Sequence, residues 1–334
     1  MAAPVTMRDV ADAAGVSPMT VSRALRDDAS VKPETRRRIR ETADRLGYVY
    51  ASTARAFRSG QSGFVAVTLP SINNANFAET HSGLLDAFSE TGLQVLLGIT
   101  GYSVAEEERL VRELVKRQPE AIVLTGGRHT AATQQLVSAL SIPTLEIWDQ
   151  PEAPLEHVVG FSNAAAMGEL VRHLAGQGRR RIGFLGAEAG SDLRGDARRM
   201  GAVRAAQEFG LPEIREIKIG PAPVSMTQSA EAVARMGASL DALDALICVS
   251  DPVAYGALSA CQRLGVAVPE ALAVTGFGGF EIAAVSHPRL TTVNVNAYAI
   301  GAQAGQLILE ALRGEAREAR RIDTGYRLVA GETS

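Results

Sequence analysis

Few side chains in this 334-residue chain are arranged to make or break bonds. The five histidines, His81, His129, His157, His173 and His287, are scattered, and a lone histidine is more often structural than catalytic. Cys248 lies in the apolar run 245–249 and Cys261 in a stretch of helical pattern. Two isolated cysteines point to buried, reduced thiols, because metal ligation would need a second Cys or His cluster. Gly186-Ala-Glu-Ala-Gly190 follows an apolar run as a phosphate loop does, yet it lacks the glycine and Lys-Ser/Thr pattern, and no nucleophile elbow is present. No catalytic residue, cofactor or metal is therefore expected. What the residues offer is recognition. In Ser17-Pro-Met-Thr-Val-Ser-Arg23, Ser17 is a good N-cap and Pro18 suits the first helical position. Val21 and Leu25, four apart, share one face and leave Thr20, Ser22 and Arg23 largely available. Hydroxyls suit phosphate oxygens, and a guanidinium can bond a guanine edge through two donors.

The elements around that helix are short. Thr6, three residues before Asp9, is a capping signature for a helix from about Met7, with Val10, Ala11 and Ala14 as its apolar face. Gly15 permits a sharp turn into the second helix. A third helix, from about Pro33 to Leu46, closes a small core with Ile39, Ala43 and Leu46 before a Gly47 cap. Two short helices joined by a glycine turn form a helix-turn-helix, whose second helix enters the major groove. A three-helix bundle that binds nothing would share this pattern. The charge agrees with the DNA reading: residues 1–60 hold eleven Lys/Arg and seven Asp/Glu, whereas the whole chain is at −3. A basic head on an acidic body is expected when only the head meets phosphate.

From Phe64 onward short apolar runs alternate with helical stretches: 64–69, 94–99, 121–125, 181–186, 245–249 and 272–276. Continuous apolar strands between helices mean parallel sheet covered on both faces, with enough units for two doubly wound halves. The expected fold is an all-α helix-turn-helix head plus an α/β body of two parallel-sheet subdomains. The expected division is a head at 1–48, a linker at 49–62, and an effector-binding and dimerisation domain at 63–334. That domain splits into one subdomain at about 63–160 and 291–323, and a second at about 161–290. No apolar run is long enough to cross a bilayer, and the first residues lack a basic segment followed by an apolar one. These features predict a cytoplasmic, nucleoid-associated protein without a membrane partner.

The run from Thr6 to Leu25, with Glu34-Thr-Arg and Leu46-Gly-Tyr48, resembles the head of the lactose-repressor (LacI/GalR) family, and the likeness continues over essentially the whole chain. The resemblance implies that Pro18, Met19 and Arg23 read base edges while Thr6, Ser17, Thr20 and Ser22 meet phosphates. It implies a hinge helix near 52–59, formed on DNA, with Phe57 as a minor-groove wedge where the family usually has leucine. Arg55 and Arg58 would hold flanking phosphates. Alternatively Phe57 packs on the body. Tyr50-Ala51 stands where the family usually has Pro-Asn, so a usual hinge start signal is missing.

The body resembles the periplasmic sugar-binding proteins, which implies a ligand between two halves at the carboxyl ends of strands. Strand-end positions then matter: Ser71 to Phe77, Thr100 to Tyr102, Thr125 to Arg128, Glu146 to Asp149, and Ser250-Asp251, with Asn76, Phe77, Thr125, Arg128, Glu146, Trp148, Ser250 and Asp251 as the candidate contacts. Arg198-Arg-Met-Gly201 resembles the stretch from which an arginine reaches the effector, with Arg194 one turn before it. A bidentate arginine suits a carboxylate or paired hydroxyls. The alternatives are a helix of solvated arginines and, for Asp251, N-capping of the helix that follows. In Thr275-Gly-Phe-Gly-Gly-Phe-Glu281 the family usually has an aspartate where Gly278 stands. That motif, with Thr125-Gly-Gly-Arg-His-Thr130, Val159-Gly-Phe161 and Cys261-Gln-Arg-Leu-Gly265, looks most like the gluconate-operon repressor branch. The implied function is an operator-binding transcriptional regulator, a repressor of carbohydrate or sugar-acid use. Its implied partners are pseudo-palindromic double-stranded DNA and a small effector such as gluconate or its phosphate. A neutral-sugar, corepressor-dependent or global regulator is the alternative. A periplasmic binding protein would have the body without the head, and a sugar-metabolising enzyme would need catalytic motifs that are lacking. The family acts as dimers. The chain ends at Gly331-Glu-Thr-Ser334 without a leucine heptad, so a homodimer without a tail-built tetramer is expected.

Overall fold

Thr6 opens the first helix, α1 (Met7–Ala14), with a reciprocal capping box: its hydroxyl receives the Asp9 N–H while the Asp9 carboxylate receives the Thr6 N–H at 2.7 Å. Gly15 ends α1 in the left-handed region at φ 64°, where a side chain would be strained. Ser17 caps α2 (Pro18–Ala24), and α3 (Pro33–Leu46) stops at Gly47, again left-handed. Val10, Ala11, Ala14, Val21, Ala24, Val31, Ile39 and Ala43 form the core beneath. Asp27 ties the loop to α3 through Arg36 at 3.4 Å and Arg40 at 2.5 Å.

This computed structural model is described over residues 5–48 and 62–334, which fall in two units, Met1–Ser62 and Gly63–Ser334. The linker positions Arg55, Phe57 and Arg58 lie outside the described residues.

The second unit is built on two parallel sheets. β1 (Phe64–Leu69), β2 (Gln94–Ile99), β3 (Ala121–Thr125), β4 (Thr144–Ile147) and β5 (His157–Gly160) join β11 (Arg321–Asp323) in the order β11-β5-β4-β3-β1-β2. β6 (Ile182–Gly186), β7 (Arg215–Lys218), β8 (Ala245–Cys248) and β9 (Ala273–Thr275) form the other, in the order β7-β6-β8-β9. Every pairing within these sheets is parallel, and among the described residues only β10 (Thr292–Asn294) with β12 (Arg327–Val329) is antiparallel. Strand order reverses beside β1 and beside β6, so the carboxyl ends there open into crevices.

The chain crosses from the first lobe to the second after β5, through Phe161 and Ser162, and the latter caps α7 (Asn163–Gly176). Between the strands of the first lobe run α4 (Ala75–Phe88), α5 (Val104–Val115) and α6 (Ala131–Ser138). The second lobe carries α8 (Leu193–Glu208), α9 (Met226–Met236), α10 (Asp251–Leu264) and the short α11 (Glu281–Val285), and α12 (Ala297–Leu312) returns to pack on α4. That last contact is close: a Cβ on Gly83 would lie 2.3 Å from the Tyr298 carbonyl, and one on Gly301 would collide with the Thr80 carbonyl. Both cysteines are buried, and burial pushes the Cys261 thiol up to about 11. Among the described residues no helix is long and apolar enough to cross a membrane, and no three His, Cys, Asp or Glu stand together as metal ligands.

Candidate functional site

On the head, α2 turns Val21 and Ala24 into the core and presents Ser17, Pro18, Met19 and Arg23 outward. Met19 is 56% exposed, high for so large an apolar side chain, and Arg23 makes no salt bridge among the described residues. An apolar group and a free guanidinium on one short helix are what base-edge contact needs. Thr20 is half-buried, its hydroxyl 2.9 Å from that of Ser17, so the two move as a pair. Thr6 remains exposed, though its hydroxyl serves the capping box. Ser22 departs from expectation. It is only 6% exposed, because α2 packs on both α1 and α3 and the residue after Val21 turns under as well.

In the body, strand ends converge on a cavity of about 370 Å³ between the lobes. Phe77, Trp148 and Phe277 line it and join the buried Phe161 in an aromatic ladder: Phe77 to Trp148 at 5.1 Å between ring centroids, Trp148 to Phe161 at 6.0 Å, and Phe161 to Phe277 at 6.2 Å. The Trp148 indole N–H donates to the Thr80 hydroxyl at 3.1 Å. Trp148 and Tyr102 both hold positive φ, 71° and 67°, an unfavourable state for aromatic residues. Strain of this kind costs about 1–3 kcal/mol per residue and collects at functional sites. Here it turns two rings into the cavity instead of continuing the strands.

Arg198 rises from α8 onto the ladder, its guanidinium carbon 4.1 Å from the centre of the Phe277 ring. Nε donates to Asn163 Oδ1 at 2.9 Å and Nη1 to the Val249 carbonyl at 3.0 Å. Both partners are neutral, and no carboxylate pairs with it among the described residues. Burial pulls its pKa down to about 10, so it remains a cation at neutral pH. Arg194, one turn earlier, lies 5.5 Å and 5.9 Å from the ring centres of Phe77 and Tyr102. Gly126 makes room for it, since a Cβ there would stand 3.2 Å from Nη1. The two arginines are buried, at 7% and 9% exposure, whereas the side chain of Arg204 is 65% exposed, so the helix is amphipathic in its arginines.

Asn76 also lines the cavity, and its Nδ2 donates to the Gly278 carbonyl at 3.0 Å, joining the lobes directly. Gly278 holds φ 121°, and a Cβ there would meet the Phe280 ring at 2.4 Å and Asn76 Nδ2 at 2.7 Å. The space of a carboxylate is thus taken by an amide and a phenyl ring. Ser250 lines the cavity as well.

A second chamber, of about 480 Å³, shares Tyr102, Asp192 and Arg194 with the first and takes in Thr125, Arg128 and Asp149. Arg128 is exposed, and the Thr125 hydroxyl is spent on the Thr68 carbonyl at 2.6 Å.

Two expected residues point away from the ligand space. The Asp251 carboxylate takes the Phe280 N–H at 2.7 Å and the Thr292 hydroxyl at 2.6 Å, so it braces the loop that carries Phe277 and Gly278. Burial raises its pKa to about 6, against those hydrogen bonds. It does not cap α10, whose cap residue is Ser250. Glu146 is 1% exposed. It takes the Leu155 N–H at 2.7 Å and faces His129 Nε2 at 3.3 Å, an ion-pair contact outside hydrogen-bond alignment. On the other side of that ring, His129 Nδ1 meets Glu107 at 2.5 Å. Tyr102, one of the strand-end positions, faces the cavity, and so does Asp192, which the sequence did not single out.

A helix-turn-helix head joined in sequence to a two-lobed α/β body with a ligand-sized cleft defines the class of DNA-binding transcriptional regulators. Residues 6–50 match the model of bacterial regulatory proteins of the lacI family, and residues 171–334 match that of the periplasmic binding protein-like domain. The chain is 36% identical to the HTH-type transcriptional regulator GntR of Pseudomonas aeruginosa, over 98% of this chain and 95% of that one. It is 30% identical to GntR of Escherichia coli K12, over 97% of each. A solved LacI-family transcriptional regulator from Silicibacter pomeroyi superposes with a TM-score of 0.93 at 32% identity, covering 99% of both chains. The chain belongs to the lacI family of bacterial regulatory proteins and is a regulator, not an enzyme.

Proposed function

We propose that this regulator represses an operon for the use of a sugar acid and that the acid, bound between the lobes, sets its hold on DNA. A homodimer would place two heads on a pseudo-palindromic operator, with 1–48 as the head, 49–62 as the hinge linker and 63–334 as the effector and dimerisation domain. Met19 and Arg23 would read base edges beside Pro18, while Thr6, Ser17 and Thr20 hold phosphates. Arg55, Phe57 and Arg58 would serve the linker.

The observation that carries the effector reading is Arg198: a cation only 9% exposed, bonded only to neutral groups, on the wall of a ligand-sized cavity. A buried charge without a counter-ion is costly, and an anionic ligand supplies one. Its Nε and Nη1 are engaged, which leaves Nη2 for a carboxylate. The aromatic ladder fits the carbon chain, and the likeness to the gluconate-operon repressor branch supports an aldonate. Calorimetry with D-gluconate and D-glucose, paired with gel shifts on the operator, tests the reading. Arg198→Ala is expected to abolish the response to gluconate while operator binding without effector stays within about twofold. Tighter binding of glucose than gluconate, or an undiminished response in the variant, would refute an anionic effector.

A further inference from the structure

Asp192 occupies the N-cap position of α8 yet does not cap it. The residues before α4, α5, α6, α7, α9 and α12 all accept an N–H through their side chains. The Asp192 carboxylate is instead turned into the wall common to both chambers. Gly195 allows this, because a Cβ there would lie 2.8 Å from Oδ2. Oδ1 is shut off from solvent and has no hydrogen-bond partner. Its nearest cation, Arg194 Nη2, stands 3.9 Å away, and that guanidinium is shared with the Phe77 and Tyr102 rings. The side chain as a whole is 15% exposed and lines both chambers, so an under-satisfied carboxylate is within reach of a donor from the ligand.

The charge in the adjoining chamber is net negative by one. The adjoining chamber adds Asp149 and Glu152 to Asp192, against Arg128 and Arg194. Glu107 also borders it, but is paired with His129. One anionic group is provided for at Arg198, and a second would enter a space where carboxylates outnumber guanidinium groups.

We propose that Asp192 selects a singly charged polyhydroxy carboxylate: its carboxylate, partly open to the cavity, accepts a ligand hydroxyl and repels a second anionic group such as a phosphate ester. This rests on the reading of Arg198 as the carboxylate anchor. The ligand's acid end lies on Arg198, its hydroxyls pass Asp192, and the far end stays uncharged.

Calorimetry on the purified full-length protein with D-gluconate, 6-phospho-D-gluconate and D-glucose tests it, in the wild type and in Asp192→Asn. In the wild type gluconate binds at least about tenfold tighter than its phosphate, since a like charge within several ångströms in a partly desolvated site readily costs a decade in affinity. In Asp192→Asn that ratio falls by about tenfold, with the phosphorylated acid gaining. Equal or tighter binding of the phosphate in the wild type overturns the role of Asp192 while leaving an anionic effector in place, and so does an unchanged ratio in a folded Asn variant. Should that variant not fold, the wild-type ratio decides alone. Binding of glucose without either acid overturns the anchor at Arg198, and the selector with it.

Discussion

His129 should make the stability of the body fall with rising pH in a window where most soluble domains change little. Its ring lies between Glu107, 2.5 Å from Nδ1, and Glu146, 3.3 Å from Nε2, and the three side chains are 1–6% exposed. Burial lowers the imidazole pKa, but the two carboxylates outweigh it and raise the value from 6.5 to about 9. Below pH 6.5 the folded and unfolded chains both carry the proton, and the stabilisation is fully present. Between 6.5 and 9 the unfolded chain has lost it while the folded chain holds it. Stability therefore falls through that window by about 1.4 kcal/mol per pH unit, or roughly 3 kcal/mol in all. The perturbation is His129→Gln, which keeps a polar side chain and removes the charge. At pH 6.5 it should cost about 3–5 kcal/mol, as breaking a buried ion pair does. The assay is urea unfolding of both proteins from pH 6 to 10, followed by circular dichroism. The gap between them should narrow by about 3 kcal/mol as pH rises, whatever other groups titrate. A gap that stays constant from pH 6.5 to 9.5 would refute an imidazole held charged at neutral pH at the heart of this lobe.

Two further outcomes concern residues proposed to contact DNA. Arg23→Ala should weaken operator binding by about 1–3 kcal/mol and relax preference at one base pair per half-site; equal loss on operator and random DNA in a fluorescence titration would mean phosphate contact only. Phe57→Ala should lower operator affinity and reduce DNA bending in a circular-permutation assay while gluconate binding is unchanged; an unaltered bend removes the wedge assignment.

The strands buried on both faces were legible because nothing interrupts their apolar runs: β1, β2 and β3 begin and end where the sequence pattern does. β4 showed only as a strand end, because the buried Glu146 breaks its apolar run, and β5 was not among the apolar runs because it is short and opens on the polar His157. β7 escaped because it is an exposed edge, Arg215-Glu-Ile-Lys, without an apolar signature. In the cleft, the spacing of Arg194 and Arg198 one turn apart placed both together. Asp192 was hidden because an aspartate before a helix ordinarily reads as a cap, and nothing in its sequence neighbours shows that the carboxylate has turned away. Asp251 was the opposite case: a strand-end acid on the sequence, committed in the fold to Phe280 and Thr292.

The glycine at 278 does more than withhold a carboxylate. Its positive φ and missing Cβ let the Asn76 amide reach the Gly278 carbonyl, so the lobes touch where a larger residue would hold them apart. Arg194 adds a second tie, leaving α8 of one lobe to lie over the Phe77 and Tyr102 rings of the other. A net hydrogen bond contributes about 0.5–1.5 kcal/mol and a desolvated cation–π contact up to about 2. Together these ties match the 1–3 kcal/mol or so that typically couples an effector to a second site. A ligand moves such an equilibrium only through its different affinity for the two lobe arrangements. The groups we propose for grasping the acid, Arg198 and Asp192, stand beside the groups that already join the lobes. Filling the cavity therefore acts on contacts weak enough to be rearranged by one small molecule, and no larger reservoir of strain is required for the switch.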